Sequence, residues 1–237
     1  KLIEKLVMAR LNRLILENHT HHLIQVGNNK APIFFTTEDY QKMLNLLGDY
    51  AGSYQVDIHG FVLMPANFQL LATPRVDTGL SKMMQALGRG YVRYFNDKYK
   101  RTGTLWEGRY RSTVLDEKTH LLNHMVYIEL QPVIHGLVDG CKDYEWSSYM
   151  HNAGVRKIHF VKNHKLYWEL GNTPFAREAS YVALIAKGIS SQQQRSFDQA
   201  VLNGWPIGSP DFLSNIQAKT DRRVFKSKAG RPKGGSI

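Results

Sequence analysis

Two periods of apolar residues run through this chain. His21-His22-Leu23-Ile24-Gln25-Val26 reads as a strand, and Gly27-Asn28-Asn29-Lys30 as the turn that closes it. From there the spacing lengthens: Tyr40, Met43, Leu44, Leu47 and Ala51 recur at helical intervals. Thr36 with Asp39 has the form of a capping box, which predicts a helix starting near Thr37. Residues 56–63 and 68–73 then read as neighbouring strands turned at Pro65. Strand side chains alternate faces, so Asn67 and Gln69 share one side of the second strand and Phe68 and Leu70 the other. By periodicity alone, that polar pair reads as a solvated sheet face.

Leu80, Met83, Met84, Leu87, Tyr91, Tyr94 and Phe95 form a second helical stripe, whose other side carries Lys82, Arg89 and Arg93. A basic-aromatic segment follows, with Lys98, Lys100, Arg101, Trp106, Arg109 and Arg111. Cations interleaved with aromatics suit single-stranded DNA, where phosphates take the cations and bases stack on the rings. A solvated loop anchored by a buried Trp106 fits the same letters. Residues 116–130 predict a third helix with Leu121, Leu122, Met125 and Leu130 inward, and Tyr127 and Gln131 on one face. Pro132 would weaken its last turn. Beyond residue 151, Tyr181, Ala183, Leu184, Phe197, Val201 and Leu202 suggest short helices, and residues 204–211 a turn-rich bend. The end of the chain, with Arg222, Arg223, Lys226, Lys228, Arg231 and Lys233, is basic and expected to be disordered.

Composition narrows the function. A chain of 237 residues suits one domain of about 150 residues with an appendage. A formal net charge of +11 favours a polyanionic partner, since Lys and Arg displace counterions from phosphate backbones. No apolar run is long enough to span a membrane, no amphipathic cationic helix marks a membrane surface, and the start lacks a secretory h-region. With Cys141 as the single cysteine, neither a disulfide framework nor a cysteine-rich zinc site is possible. A cytoplasmic, nucleoid-associated protein is the expectation.

The segment Ile58-His59-Gly60-Phe61-Val62-Leu63-Met64-Pro65, followed by Leu70-Leu71, resembles the core of the REP-associated tyrosine transposases. These are single-tyrosine members of the HUH (His-hydrophobic-His) superfamily of single-strand DNA nickases. Gly103-Thr104-Leu105-Trp106-Glu107-Gly108-Arg109-Tyr110-Arg111, Tyr127-Ile128-Glu129-Leu130-Gln131-Pro132-Val133 and Asp143-Tyr144-Glu145-Trp146-Ser147-Ser148-Tyr149 resemble further family segments. The likeness runs from about Met8 to Tyr149. It implies an α+β fold: a ferredoxin-like (RRM-like) antiparallel sheet packed with helices, and a C-terminal helical accessory region. The implied organisation is a DNA-binding core over 1–150, an accessory region over 151–218 and a basic tail over 219–237.

The resemblance makes Tyr127 the residue that attacks the scissile phosphate. It also makes Asn67, Gln69 and Gln131 the metal positions, the first two being histidines in the family. Amide oxygens ligate hard cations mainly beside carboxylates, and none is expected on that strand, so the site should be degenerate. No cofactor is expected, or Mg²⁺ or Mn²⁺ if the chain is active. His59, His120 and His124 are read as surface or satisfied interior groups, and His21 and His22 as ordinary strand-edge residues. The leading expectation is a protein that binds single-stranded or hairpin DNA through Lys82, Arg89, Arg93, Lys98, Lys100, Arg101, Arg109, Arg111 and the tail, with cleavage lost or impaired. An active nickase using Tyr127 and a protein-interaction module that keeps only the fold are the alternatives.

Overall fold

The computed structural model describes residues 13–225. The Met8 segment and the tail cations Lys226, Lys228, Arg231 and Lys233 lie outside them. In chain order the elements are β1 (His21–Val26), α1 (Thr37–Ser53), β2 (Val56–Met64), β3 (Asn67–Pro74), α2 (Gly79–Tyr99), β4 (Arg111–Val114) and α3 (Glu117–Glu129). Six helices follow: α4 (Gln131–Ile134), α5 (Tyr149–Asn152), α6 (Lys165–Trp168), α7 (Pro174–Lys187), α8 (Ser191–Asn203) and α9 (Pro210–Gln217).

Pro65 and Ala66 join β2 to β3 in a tight hairpin whose last pair is Met64 and Asn67. The sheet order is β2-β3-β1-β4 with every neighbouring pair antiparallel. This is the ferredoxin-like split βαβ arrangement expected from the sequence. A register shift between Ile58 and Gly60 places His59 at a bulge. Gly60 lets α3 approach closely, since a Cβ there would sit 3.1 Å from the Ile128 side chain.

The even positions of β3 (Phe68, Leu70, Ala72) join Leu23, Phe61 and Leu63 in one apolar cluster with α1 and α2. From the helices come Met43, Leu47, Leu80, Met83, Leu87, Tyr91 and Phe95, as their spacing predicts. α1 begins as expected, the Asp39 carboxylate accepting the backbone N–H of Thr36 at 3.0 Å and of Phe35 at 2.8 Å. On the other face, Val62, Met64 and Leu71 meet α3, and here the C-terminal helices join the core. Tyr167, Tyr181, Ile185 and Phe197 belong to the same cluster as Met125, Tyr127 and Ile128.

That double covering explains where α3 departs from its predicted stripe. Leu122 and Leu130 are only partly buried, whereas residues 124–129 are all buried. A helix held between a sheet and further helices is buried nearly all round. Pro132 does not weaken this helix. α3 ends at Glu129, and Pro132 sits in the first turn of α4, where a missing N–H costs nothing.

The C-terminal chain also closes both sheet edges. Along β2, Leu63 N–H donates to Trp146 O at 2.8 Å and Lys162 N–H to Ile58 O at 2.7 Å. Beyond β4, Ile207 N–H donates to Val114 O at 2.9 Å, and Asp116 N–H to Ile207 O at 2.8 Å. These contacts leave little of either edge open for pairing with another strand. No described helix is long and apolar enough to cross a membrane.

Candidate active site

Directly paired residues of neighbouring strands share a face, and the register therefore orders the polar positions. Val62, Gln69, Ile24 and Arg111 form one row across β2, β3, β1 and β4. Asn67, Gln69 and Arg111 therefore lie on the side of the sheet that α3 covers.

Tyr127 projects from α3 toward this face and is only 2% exposed. Its ring lies 5.7 Å from that of His22, 6.3 Å from that of His124 and 5.5 Å from that of Phe197. The Tyr127 hydroxyl donates to the Asp198 carboxylate of α8. Burial, reinforced by the hydrogen bond to Asp198 and its charge, raises the phenol well above its ordinary value. The hydroxyl stays protonated and shielded from solvent.

The three metal positions suggested by the resemblance are engaged differently. Gln69 Oε1 accepts from His22 Nε2 at 2.9 Å. Gln131 donates its amide N–H back to the Tyr127 carbonyl at 3.1 Å. The Asn67 Oδ1 atom is buried without a partner. This donor set is three neutral amides, two of them committed elsewhere, with no carboxylate on the strand. It does not fit a Mg²⁺ or Mn²⁺ site. Among the described residues, no group of three or more His, Cys, Asp or Glu is arranged to hold a metal.

Histidines supply what the strand pattern left unnoticed. His21 and His22 are both fully buried, not strand-edge surface groups. His22 occupies the Tyr127 site because even positions of β1 face α3, a consequence of register that needs the β1–β3 pairing to be seen. His124 stacks on Phe197 with centroids 3.8 Å apart, while half-buried His120 flanks both rings. Burial depresses the His22 imidazole to about 4 and pushes that of His124 well below 6.5, so both are neutral at physiological pH. His59 lies away from this group, bonded to Lys162 O at 2.7 Å and Thr73 Oγ1 at 2.9 Å. Asp198 could not be anticipated, since it lies 71 positions beyond Tyr127.

The cations expected to touch DNA divide between several places. Lys82, Arg89 and Arg93 are exposed on α2, which covers the opposite face from Tyr127. Lys98 is held by Asp39 and Glu38, each at 2.8 Å, so its charge is spent within the fold. Lys100, exposed, ends α2 in the left-handed conformation, and Arg101 lies over the Phe95 ring. Arg109 and Arg111 line a small recess with Ile24, Gln25, Val26, Glu107 and Gly108, Arg111 standing 3.7 Å from Glu107. Arg222 is partly buried and donates to Gly204 O, and Arg223 lies over the Trp205 ring. Trp106 is structural, its indole N–H donating to Gly88 O at 3.3 Å and its ring packed against Phe68 and Tyr91.

Residues 15–131 match the family described as "Transposase IS200 like". A solved REP-associated tyrosine transposase bound to a REP hairpin superimposes with a TM-score of 0.53 at 18% identity, over 66% of this chain and 93% of that one. A transposase-like protein from Deinococcus radiodurans shares 21% identity over 51% of this chain and 95% of its own, with a TM-score of 0.35. No curated protein matches. Through residues 15–131, which hold all four strands and the tyrosine helix, the chain belongs to the IS200-like transposase family.

Proposed function

We propose that this protein binds single-stranded or hairpin DNA and that its capacity to cleave a strand is lost or strongly weakened. The observation that carries the reading is the state of Tyr127, which is buried and bonded to Asp198, while the three positions that the resemblance gives to a metal hold neutral amides. Attack on a phosphodiester by a tyrosine requires the phenol oxygen in line with phosphorus, a route for the proton and something to offset charge on the phosphate oxygens. Here the proton is held toward Asp198, burial disfavours the phenolate, and Phe197 occupies space beside the ring.

Binding places fewer demands on the site. Arg111 lies on the side of the sheet that α3 covers and lines one recess with Arg109, and the chain carries a formal net charge of +11. The hairpin held by the solved transposase supports a hairpin as the ligand to try first. Fluorescence anisotropy should show tighter binding to a hairpin oligonucleotide than to a random duplex, weakening as salt is raised. Absent or salt-insensitive binding would remove the proposal.

Retained cleavage is the second reading, favoured by the survival of Tyr127 on the same face as Asn67 and Gln69. Incubation with Mn²⁺ and a labelled hairpin separates the two. A denaturant-stable protein–DNA adduct that disappears in Tyr127→Phe would establish an active nickase.

A further inference from the structure

His22 and His124 are fully buried, and each uses one ring nitrogen while leaving the other without a partner. For His124, Nδ1 faces the His120 carbonyl at 3.0 Å. A carbonyl only accepts, so Nδ1 carries the hydrogen and Nε2 is a bare lone pair. For His22, Nε2 faces the Gln69 amide oxygen at 2.9 Å, which likewise leaves Nδ1 bare. Neither His22 Nδ1 nor His124 Nε2 has a hydrogen-bond partner. A buried acceptor left unsatisfied is costly, and two of them on rings only 5.6 Å apart call for one ligand that satisfies both.

The geometry points to a cation site in which His22 Nδ1 and His124 Nε2 hold a borderline divalent ion such as Zn²⁺. A nitrogen–metal bond of about 2.1 Å puts the ion roughly 3 Å from each ring centre and the two centres about 5 Å apart at a tetrahedral angle. The observed separation is 5.6 Å, with the rings tilted by 66°. Neutral imidazole suits Zn²⁺, Ni²⁺ and Cu²⁺ better than Mg²⁺ or Ca²⁺. Each ring is already oriented by a hydrogen bond from its other nitrogen to an oxygen, the arrangement that fixes metal-binding histidines. The remaining positions fall to oxygen; the Tyr127 ring lies 5.7 and 6.3 Å from the two imidazoles, and its hydroxyl is bonded to Asp198, whose charge offsets that of an ion.

Phe197 of α8 lies face to face on His124. A bound ion therefore ties β1 to α3 beneath α8 and strengthens that packing; its role is structural. The site differs from the strand positions Asn67 and Gln69, and its test needs no DNA.

Full-length protein stripped with a chelator is titrated with Co²⁺ and followed by visible absorption, and separately melted with increasing Zn²⁺. A ligand-field band saturating at one ion per chain and a melting temperature that rises with Zn²⁺ are expected. His22→Leu and His124→Leu should each weaken binding at least tenfold, while the exposed His159→Ala leaves it unchanged. Long-range ¹⁵N spectra of the unaltered protein provide a readout that needs no variant. Zn²⁺ should shift the signals of His22 Nδ1 and His124 Nε2 and leave His59 in place. No saturable binding, binding unchanged in both leucine variants, or unmoved ¹⁵N signals would overturn the site and leave a bridging water as the occupant.

Discussion

On one side of the sheet, Phe68, Leu70 and Ala72 meet α1 and α2 through contacts made almost wholly of carbon. On the other, one residue out of step along the same strand, Asn67, Gln69 and Thr73 share the surface with Leu71, and His22 and His59 join them from neighbouring strands. An apolar face needs only a complementary shape, whereas a buried polar face needs a partner for each donor and acceptor. Most of those partners are present here: Gln69 with His22, His59 with Thr73, Thr73 with Thr20 and Tyr127 with Asp198. The exceptions are His22 Nδ1 and His124 Nε2, whose rings lie beside Tyr127, and Asn67 Oδ1 at the hairpin end of β3. Helices from the last third of the chain make this polar face an interior. The difference teaches that one face is satisfied by shape alone, while the other is a polar surface enclosed by the helices that follow the core.

The sharpest way to break the comparison is to remove volume from the carbon face. Leu70→Ala, at a fully buried position, should cost about 2–5 kcal/mol in denaturant unfolding. A loss below about 1 kcal/mol would mean that this face is not the stability-determining one.

The enclosed face should respond to pH through Glu129. This buried carboxylate accepts from Ser148 Oγ at 2.5 Å, Asn152 Nδ2 at 2.7 Å and Tyr181 OH at 2.8 Å. Burial outweighs those three donors and pushes its acid up to about 7 from 4.5. Below pH 4.5 it is protonated whether the chain is folded or not, so it favours neither state. Between 4.5 and 7 the unfolded chain ionises first, so this group's contribution to stability declines as pH rises, by about 3 kcal/mol in all. The difference in unfolding free energy between wild type and Glu129→Gln, measured from pH 5 to 8, should trace that decline. A flat difference would show that the carboxylate is solvated and the covering helices are loose.

For DNA, Arg109→Glu with Arg111→Glu should weaken hairpin binding at least tenfold, about 1.4 kcal/mol. Reversing Lys82, Arg89 and Arg93 on the far side should weaken it only a few-fold, through net charge alone. Equal losses in anisotropy titrations would put the DNA across both sides of the molecule. The smallest effect is expected from Asp198→Ala, which strands the Tyr127 hydroxyl and should cost about 1 kcal/mol in thermal unfolding while loosening α8 in hydrogen exchange.

Much of this was legible beforehand because it depends on local periodicity. The strand at 21–26, the hairpin at Pro65 and the facing of Asn67 and Gln69 follow from alternation, and the α1 start follows from Thr36 and Asp39. The α2 stripe was equally clear, apart from Tyr94, which is only partly buried because its hydroxyl reaches the Asp39 carboxylate at 2.8 Å. Lys98 shows the same dependence on a distant partner. A lysine on an exposed helix turn reads as a phosphate contact until a buried aspartate 59 positions away is brought beside it.

What the amino-acid order settles alone is the β-α-β-β-α-β core and the family that residues 15–131 belong to, since both reside in spacing and short motifs. The enclosure of Tyr127 is a different kind of fact. His22, His124, Phe197 and Asp198 carry no mutual spacing, and they meet only because α3 lies on the sheet and α8 packs over both. Burial and hydrogen-bond partnership are properties of that packing, so the protonation of Tyr127 and the bare nitrogens of its two histidines had to await the tertiary structure.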